Sequence, residues 1–233
     1  MLKLEAVSHR RGLGENSFTL EVPCLSVEKG EIIALTGVSG SGKSTLLEIV
    51  GLILKPHSMS RFTIGRHDVS AYWTNGAKNQ LSRLRSQQLG FVLQTGGLLP
   101  YLTVIENITL SRSILGLDHM NDFVLEMCAL LAIDHLFARK PDQLSIGERQ
   151  RTAIARALAH QPKLLLADEP TAALDPFHAD QVMSLLVKLT RELSLTSIIV
   201  THDWGRIQEM GVREIKTTCK NRNHAGTISV LTG

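Results

Sequence analysis

Residues 37–44 carry the clearest chemistry in this sequence, and their letters are Gly-Val-Ser-Gly-Ser-Gly-Lys-Ser. An apolar run at 32–35 precedes them and a helix-forming run at 45–50 follows, which is the context of a P-loop with the spacing G-x-x-x-x-G-K-S. Glycines let backbone N–H groups converge on an anion, and the positive end of the helix dipole adds to the attraction. The pattern therefore predicts a loop that binds a nucleoside triphosphate.

Each position of this loop has a predicted role. Lys43 would reach the β- and γ-phosphates, and the Ser44 hydroxyl would hold Mg²⁺. The remaining predicted nucleotide contacts are Gly37, Ser39, Gly40, Ser41, Gly42 and Thr45. A simple glycine-rich turn before a helix is the alternative, but Lys-Ser at this position and the flanking elements favour the P-loop.

A second candidate lies at residues 164–169, where Leu-Leu-Leu-Ala is followed by Asp168 and Glu169. The apolar run predicts a buried strand, and its carboxylates would lie at the C-terminal end, where parallel α/β sheets bind ligands. Asp168 is predicted to hold the Mg²⁺ of the nucleotide, and Glu169 to act as general base on a water molecule. Such a pair alone would more often be a solvated strand end; after a P-loop it indicates a Walker B segment.

A third candidate is Leu-Ser-Ile-Gly-Glu-Arg-Gln at residues 144–150. Ser145 and Glu148 form a capping box, so the minimal interpretation is a well-capped helix. A helix N-terminus with the small Gly147 is also suited to an anion. Together with the residues that follow, up to Leu158, the segment resembles the signature motif of ABC-type ATPases, and it stands between the P-loop and Walker B as in that family.

Further segments match motifs of the same family, and they occur in the same order along the chain as in that family. Gln94 resembles the Q-loop glutamine that senses Mg²⁺ and water, and Asp175 belongs to a segment similar to the D-loop. His202 resembles the H-loop histidine that contacts the γ-phosphate. The resemblance comprises six motifs and covers about residues 2–231.

The sequence departs from the family at two places. Ile146 stands where the family usually has the first glycine of its signature motif. The family commonly stacks adenine on an aromatic residue ahead of the P-loop, and here that position falls near Arg11. Arg11 could stack through its guanidinium plane, and Phe18 is the alternative.

The resemblance implies an α/β fold with a P-loop NTPase (RecA-like) core and an N-terminal antiparallel β part. Helical patterns dominate residues 95–155, which predicts an inserted helical subdomain. We therefore expect one nucleotide-binding domain over 1–233, with the core at about 1–94 and 156–233. Helices are predicted at 104–115, 121–133, 146–160 and 177–193.

Composition limits the classes of function. The 233 residues include 25 Lys and Arg and 22 Asp and Glu. A net charge of only +3 does not indicate a nucleic-acid-binding protein, which would need basic residues clustered on one face. The basic tail from Arg213 to His224 is better explained as a solvated hairpin than as a binding patch. Three cysteines without metal-type spacing predict reduced thiols in a cytosolic protein. The sequence begins directly with a strand pattern, and no window approaches the ~20 apolar residues of a membrane span.

The family resemblance also implies partners. ABC-type ATPases form head-to-tail homodimers that enclose two ATP molecules with Mg²⁺ and drive an integral membrane permease, so we expect a cytoplasmic chain held peripherally at the inner membrane face. Lys55-Pro56, residues 68–71 and residues 98–107 are most similar to ATPases of lipoprotein-releasing, macrolide-export and cell-division complexes (LolD, MacB and FtsE types). The alternative function is an ATP-dependent regulatory or mechanotransmission module that controls an envelope process without moving cargo.

Overall fold

The structure is a computed structural model that describes residues 1–12, 17–222 and 226–232. It consists of two compact units. The first unit combines Met1–Arg85 with Val200–Gly233, and the second is the continuous segment Ser86–Ile199. The predicted helical subdomain, 95–155, lies entirely within the second unit. His224, at the end of the predicted basic hairpin, lies outside the described residues.

Strands and helices occur in short runs along the described chain and alternate strictly from α6 to β9. The strands are β1 (Leu2–Arg11), β2 (Phe18–Val27), β3 (Ile32–Thr36), β4 (Arg61–Ile64), β5 (His67–Asp68), β6 (Leu89–Val92), β7 (Leu164–Asp168), β8 (Thr196–Val200), β9 (Arg213–Arg222) and β10 (Gly226–Thr232). The helices are α1 (Lys43–Val50), α2 (Val69–Thr74), α3 (Lys78–Gln88), α4 (Val104–Ile114), α5 (Asp122–Leu130), α6 (Ile146–Leu158), α7 (Pro176–Glu192) and α8 (Trp204–Glu209).

The first unit contains a mixed sheet with the strand order β5-β4-β1-β2-β10-β9-β3. β1 pairs with β2 and β4 in antiparallel register, as expected for the N-terminal part, and β9 pairs with β10 as the predicted hairpin. β3 pairs in parallel with β9, so the strand that leads into residues 37–44 is held by a strand from the far end of the chain. All five residues of β3 are buried.

In the second unit, β8, β7 and β6 are neighbours in that order. β6 and β7 are parallel, with Leu89 opposite Leu164 and Val92 opposite Ala167. α6 packs against β6 so closely that a Cβ atom on Gly90 would lie 2.4 Å from the carbonyl oxygen of Ala157. A glycine is therefore required at this point of the strand.

Capping explains most helix boundaries. α4 begins after Thr103, whose side chain accepts a hydrogen bond from the N–H of Glu106, and this predicted capping box is confirmed. The helix predicted at 121–133 ends earlier, at Leu130, because Ala132 adopts a left-handed φ of 51°. α2 was not predicted; it begins after Asp68, whose side chain accepts a hydrogen bond from the N–H of Ala71.

No helix within the described ranges combines the length and the apolar character that crossing a bilayer requires. The cores of both units consist instead of short apolar faces. β7 and β8 contribute continuous buried runs, as the sequence predicts for parallel strands.

His160, just beyond α6, is a buried titratable group. Its Nε2 atom lies 3.0 Å from the carbonyl oxygen of Leu89, and its Nδ1 atom has no hydrogen-bond partner among the described residues. Arg112 lies nearby and donates to the carbonyl oxygen of Ala159 at 2.8 Å. Burial and the Arg112 charge lower the pKa of His160, although the bond to Leu89 opposes this.

Because the folded protein lowers the pKa of His160, we expect acid to destabilise the protein. Below the ordinary histidine pKa of about 6.5, the unfolded chain binds a proton at this residue that the folded chain does not bind. The free energy of unfolding should fall from about pH 7 to about pH 5.5, and levels off for this group below its folded-state pKa. Urea denaturation of the wild type and of His160→Gln at both pH values measures the effect.

The His160→Gln variant should lose less free energy of unfolding between the two pH values than the wild type. His135→Gln, which changes an exposed histidine of the same unit, is the matched control and should retain the wild-type difference. Equal pH dependence in the wild type and in His160→Gln would contradict the prediction.

Candidate functional site

The loop at residues 37–44 has a backbone that only glycine allows at several positions. Gly37, Gly40 and Gly42 have φ values of 147°, 75° and 86°. A Cβ atom on Gly37 would lie 2.0 Å from Thr217 Oγ1, and one on Gly42 would lie 2.7 Å from Phe18 Cζ, whereas at Gly40 no atom lies within 4 Å. The loop is thus packed against Thr217 and Phe18 at Gly37 and Gly42, and it is open at Gly40, where there is room for an anion.

Side-chain hydrogen bonds hold this loop in place. Lys43 Nζ donates to the carbonyl oxygens of Gly37 and Val38 at 2.9 and 3.0 Å. The buried Ser41 hydroxyl lies 2.5 Å from Thr217 Oγ1, and Thr217 also donates to the carbonyl oxygen of Thr36 at 3.0 Å. Thr217 on β9 is a residue that the sequence analysis missed, because no local motif marks it.

The other predicted loop residues differ in exposure. Ser39, Gly40 and Ser44 are exposed, whereas Thr45 is buried in α1. Ser41, predicted to contact nucleotide, directs its hydroxyl to Thr217. Its backbone N–H donates to the carbonyl oxygen of Val38 at 3.2 Å, so a phosphate contact would have to replace one of these two bonds.

Three further residues of the first unit were predicted to contact nucleotide. Arg11 Nη2 lies 2.5 Å from Glu48 Oε2 of α1, and both side chains are about half exposed. Phe18 packs beneath Gly42, so its ring supports the loop. His202 is exposed and follows Thr201, whose N–H donates to the carbonyl oxygen of Leu35 at the end of β3.

In the second unit, the parallel register of β6 and β7 brings three predicted residues to one sheet edge. Val92 lies opposite Ala167, so Asp168 at the end of β7, Glu169 just after it and Gln94 after β6 all lie at the carboxyl ends of neighbouring strands. Glu169 adopts a left-handed φ of 46°, which is unfavourable for a residue with a side chain and is found mainly where the surrounding structure imposes it.

Ser145 and Gly147 lie at the start of α6, as predicted. The Ser145 N–H donates to Glu148 Oε2 at 2.7 Å, and Ser145 Oγ accepts from the Glu148 N–H at 3.3 Å, which completes the capping box. Hydrogen bonds from Ser145 lower the pKa of Glu148, first through its backbone N–H. Ile146 is 55% exposed, so its bulk points away from the cap.

An open groove of about 480 Å³ lies at this helix end. Its residues come from the signature-like segment and from the segment around Asp175: Ser145, Ile146, Gly147, Glu148, Arg151, Ala173, Leu174, Asp175 and His178. The Nε donor of Arg151 is buried without a hydrogen-bond partner among the described residues. The groove therefore combines the N-terminus of α6 and the Arg151 side chain, which favour an anionic ligand, with the carboxylates of Glu148 and Asp175, which oppose one.

Asp175 is held by His178, a residue that the sequence analysis did not single out. Asp175 Oδ1 accepts from the His178 N–H at 3.2 Å, and Oδ2 lies 2.6 Å from His178 Nδ1. These hydrogen bonds, the imidazole first, hold the pKa of Asp175 below its ordinary value. Asp175 thus caps α7 as a carboxylate of fixed orientation.

Comparison with known proteins identifies the family. The family model described as "ABC transporter" matches residues 20–172. This chain belongs to the ABC transporter family. It is an ATP-binding cassette and an ATPase, as its resemblance to ABC-type ATPases predicted.

Named relatives agree with the family model. The cassette is 39% identical over 214 residues to the lipoprotein-releasing system ATP-binding protein LolD 1 of Chlorobium chlorochromatii. This match covers 87% of this chain and 82% of the relative. The cassette is 38% identical over 206 residues to the macrolide export ATP-binding/permease protein MacB of Vibrio parahaemolyticus, covering 87% of this chain and 31% of the relative. The predicted likeness to the LolD and MacB types is confirmed, and that to the FtsE type stays a prediction.

A solved structure supports the fold. The dimeric post-hydrolysis state of the ATP-binding cassette MJ0796, bound to ADP and Pi, matches with a TM-score of 0.78 and 34% identity over 93% of both chains. A protein of this name comes from Methanocaldococcus jannaschii. The predicted α/β fold with a P-loop NTPase core is therefore confirmed for this cassette.

A substitution of Ser145 can distinguish its role as the N-cap of α6 from a role in ATP hydrolysis. Ser145→Ala removes an N-cap and should cost about 1 kcal/mol of the free energy of unfolding. If Ser145 also binds phosphate, the variant should lose ATPase activity as well. Denaturation curves and steady-state ATP hydrolysis measure the two effects.

Thr103→Ala is the matched control, because Thr103 forms the same capping box on α4. It should cost a similar free energy of unfolding and leave the ATPase rate of the isolated cassette within about twofold of wild type. Equal ATPase losses in the two variants would mean that Ser145 acts only as a cap.

Proposed function

We propose that this cassette is the ATP-hydrolysing subunit of an ABC transporter and drives a separate membrane permease by ATP-dependent closure of a homodimer. The single observation that carries the proposal is the groove at the N-terminus of α6. Its nine lining residues all belong to Ser86–Ile199, so the P-loop contributes none of them. A phosphate for this groove would come from nucleotide on a second copy.

Phosphate binding is assigned to the P-loop. Lys43 would exchange its hydrogen bonds with Gly37 and Val38 for bonds to the β- and γ-phosphates. The backbone N–H groups of the loop, from Gly37 to Thr45, would complete the cradle. Arg11 would cover the adenine by stacking its guanidinium plane, for which it must release Glu48; this exposed ion pair opposes the change only weakly.

Hydrolysis is assigned to the residues that follow three strands. Glu169 would accept a proton from the attacking water, a role worth about 10²–10⁴ in rate. Gln94 would orient that water, and His202 would donate to the γ-phosphate. The position of Glu169 directly after β7, on the strand that pairs in parallel with the strand before Gln94, supports this assignment.

Mg²⁺ fits the donor set that this sequence offers. Ser44, Asp168 and Gln94 supply hydroxyl, carboxylate and amide oxygens, and oxygen is the ligand type that Mg²⁺ prefers. When bound, Mg²⁺ would neutralise charge on the β- and γ-phosphate oxygens. These three residues are proposed to hold it.

The second copy is proposed to dock its nucleotide in the groove. Ser145 and the Gly147 N–H would then meet the γ-phosphate at the positive end of α6, with the Arg151 side chain in the lining of the same groove. Asp175, fixed by His178, would contact the partner's P-loop. The dimeric state of the MJ0796 cassette supports this arrangement.

The permease is proposed to bind the segment that follows Gln94. Tyr101 lies in this segment and is 68% exposed, and Leu93, just before Gln94, is 43% exposed, so both offer apolar surface to a partner. Such contacts would hold the cassette peripherally at the cytoplasmic face of the membrane. The names of the LolD and MacB relatives support a transport complex.

Two substitutions test the proposal. Glu169→Gln should lower the rate of ATP hydrolysis by about 10²–10⁴ and accumulate an ATP-bound dimer, because closure no longer leads to hydrolysis. Lys43→Ala should abolish both hydrolysis and ATP-dependent dimerisation. Phosphate release and analytical ultracentrifugation with MgATP measure the outcomes.

His178→Gln supplies an informative comparison, because glutamine can still donate to Asp175 and should leave dimerisation intact. The proposal is wrong if Glu169→Gln with MgATP sediments as a monomer, or if Lys43→Ala hydrolyses ATP at the wild-type rate.

A further inference from the structure

Helix α6 is bonded along its length to the chain from Leu89 to Gly97. His160, just beyond its end, contacts the carbonyl oxygen of Leu89. Gln150, a buried residue near its start, donates to the carbonyl oxygen of Leu93 at 3.4 Å. The segment on either side of Gln94 therefore follows the surface of this one helix.

Arg156 makes the shortest of these bonds. Its Nη1 donates to the carbonyl oxygen of Gly97 at 2.7 Å, and its Nη2 donates to that of Gly96 at 2.8 Å. Both glycines have left-handed φ values, 72° for Gly96 and 59° for Gly97, and their successive carbonyl groups both accept from the guanidinium. A planar fork with two parallel donors matches this arrangement, and a lysine ammonium does not.

The surroundings of Arg156 restrict where its side chain and the two glycines can lie. The side chain is half-buried, and burial lowers the pKa of its guanidinium, although the group stays charged. A Cβ atom on Gly97 would lie 2.9 Å from Leu93 Cδ1, and one on Gly96 would lie 3.6 Å from the Ala153 side chain. Gly97 is thus packed closely against Leu93, and Gly96 lies at van der Waals distance from Ala153 of α6.

We propose that Arg156 is a positioning residue for Gln94, and that it makes α6 a rigid link between the groove at Ser145 and the loop at residues 94–97. This inference rests on the proposed role of Gln94 in hydrolysis. The helix carries the groove at its first turn and Arg156 about 15 Å further on, at about 1.5 Å per residue. A nucleotide that moves the helix N-terminus therefore moves the backbone beside Gln94 as well.

The principal test is Arg156→Lys, which keeps the charge and most of the side chain but cannot make both bonds. The kcat for ATP should fall by about 10²-fold, the effect of a misplacement of about 1 Å, while KM for ATP stays within about twofold because the P-loop is unchanged. The Mg²⁺ concentration for half-maximal activity should rise. Amide hydrogen exchange should accelerate at residues 94–99.

Arg112→Lys is the matched control, because Arg112 is a buried arginine of the same unit that also donates to backbone carbonyls, those of Asp118 and Ala159. It should lower the midpoint of urea unfolding to a similar extent and leave kcat and the exchange of residues 94–99 near wild type. Equal kcat in Arg156→Lys and Arg112→Lys would overturn the inference.

A second measurement does not depend on how well Arg156→Lys folds. In Glu169→Gln, MgATP should slow amide exchange both in the first turn of α6 and at residues 94–99. Protection confined to the first turn of α6 would overturn the link. If the wild type does not hydrolyse ATP, or Lys43→Ala is active, the proposed function itself fails; if both behave as expected and only the Arg156 results differ, the inference alone fails.

Discussion

The parallel pairing of β6 with β7 is the constraint on which the second unit depends. Four buried residues of β7 fix its register against β6, and this register sets where both strands end. Because the pairing is parallel, the side chains after the two strands emerge at the same edge. A slip of one residue would turn every side chain of the slipped strand to the opposite face of the sheet and move Asp168 away from the edge.

α6 extends this constraint to the signature motif. Its close contact with Gly90 requires that the helix and the strand move together, since no side chain separates their backbones. The capping box at Ser145 then fixes where the helix begins. One rigid layer thus carries both the groove and the segment that contains Gln94.

Local patterns made much of this predictable. The P-loop, the apolar run before Asp168 and the two capping boxes are each encoded within about ten residues, and the helix and strand bounds followed within a few residues. Three features could not be predicted: the bond from Thr217 to Ser41, the left-handed backbone at Glu169 and the contacts of Arg156 with Gly96 and Gly97. The two sets of hydrogen bonds depend on which distant segments meet, which sequence spacing does not contain, and no residue type marks the backbone conformation of Glu169.

The bond between Ser41 and Thr217 also bears on how the chain is made. Its two residues are separated by 176 positions, and β3 pairs with β9 over the same span. At a synthesis rate of 5–20 residues per second, the P-loop waits about 10–35 s for its supporting strand. During that interval the continuous segment Ser86–Ile199 can already fold, so the ribosome completes the signature helix before it completes the nucleotide cradle.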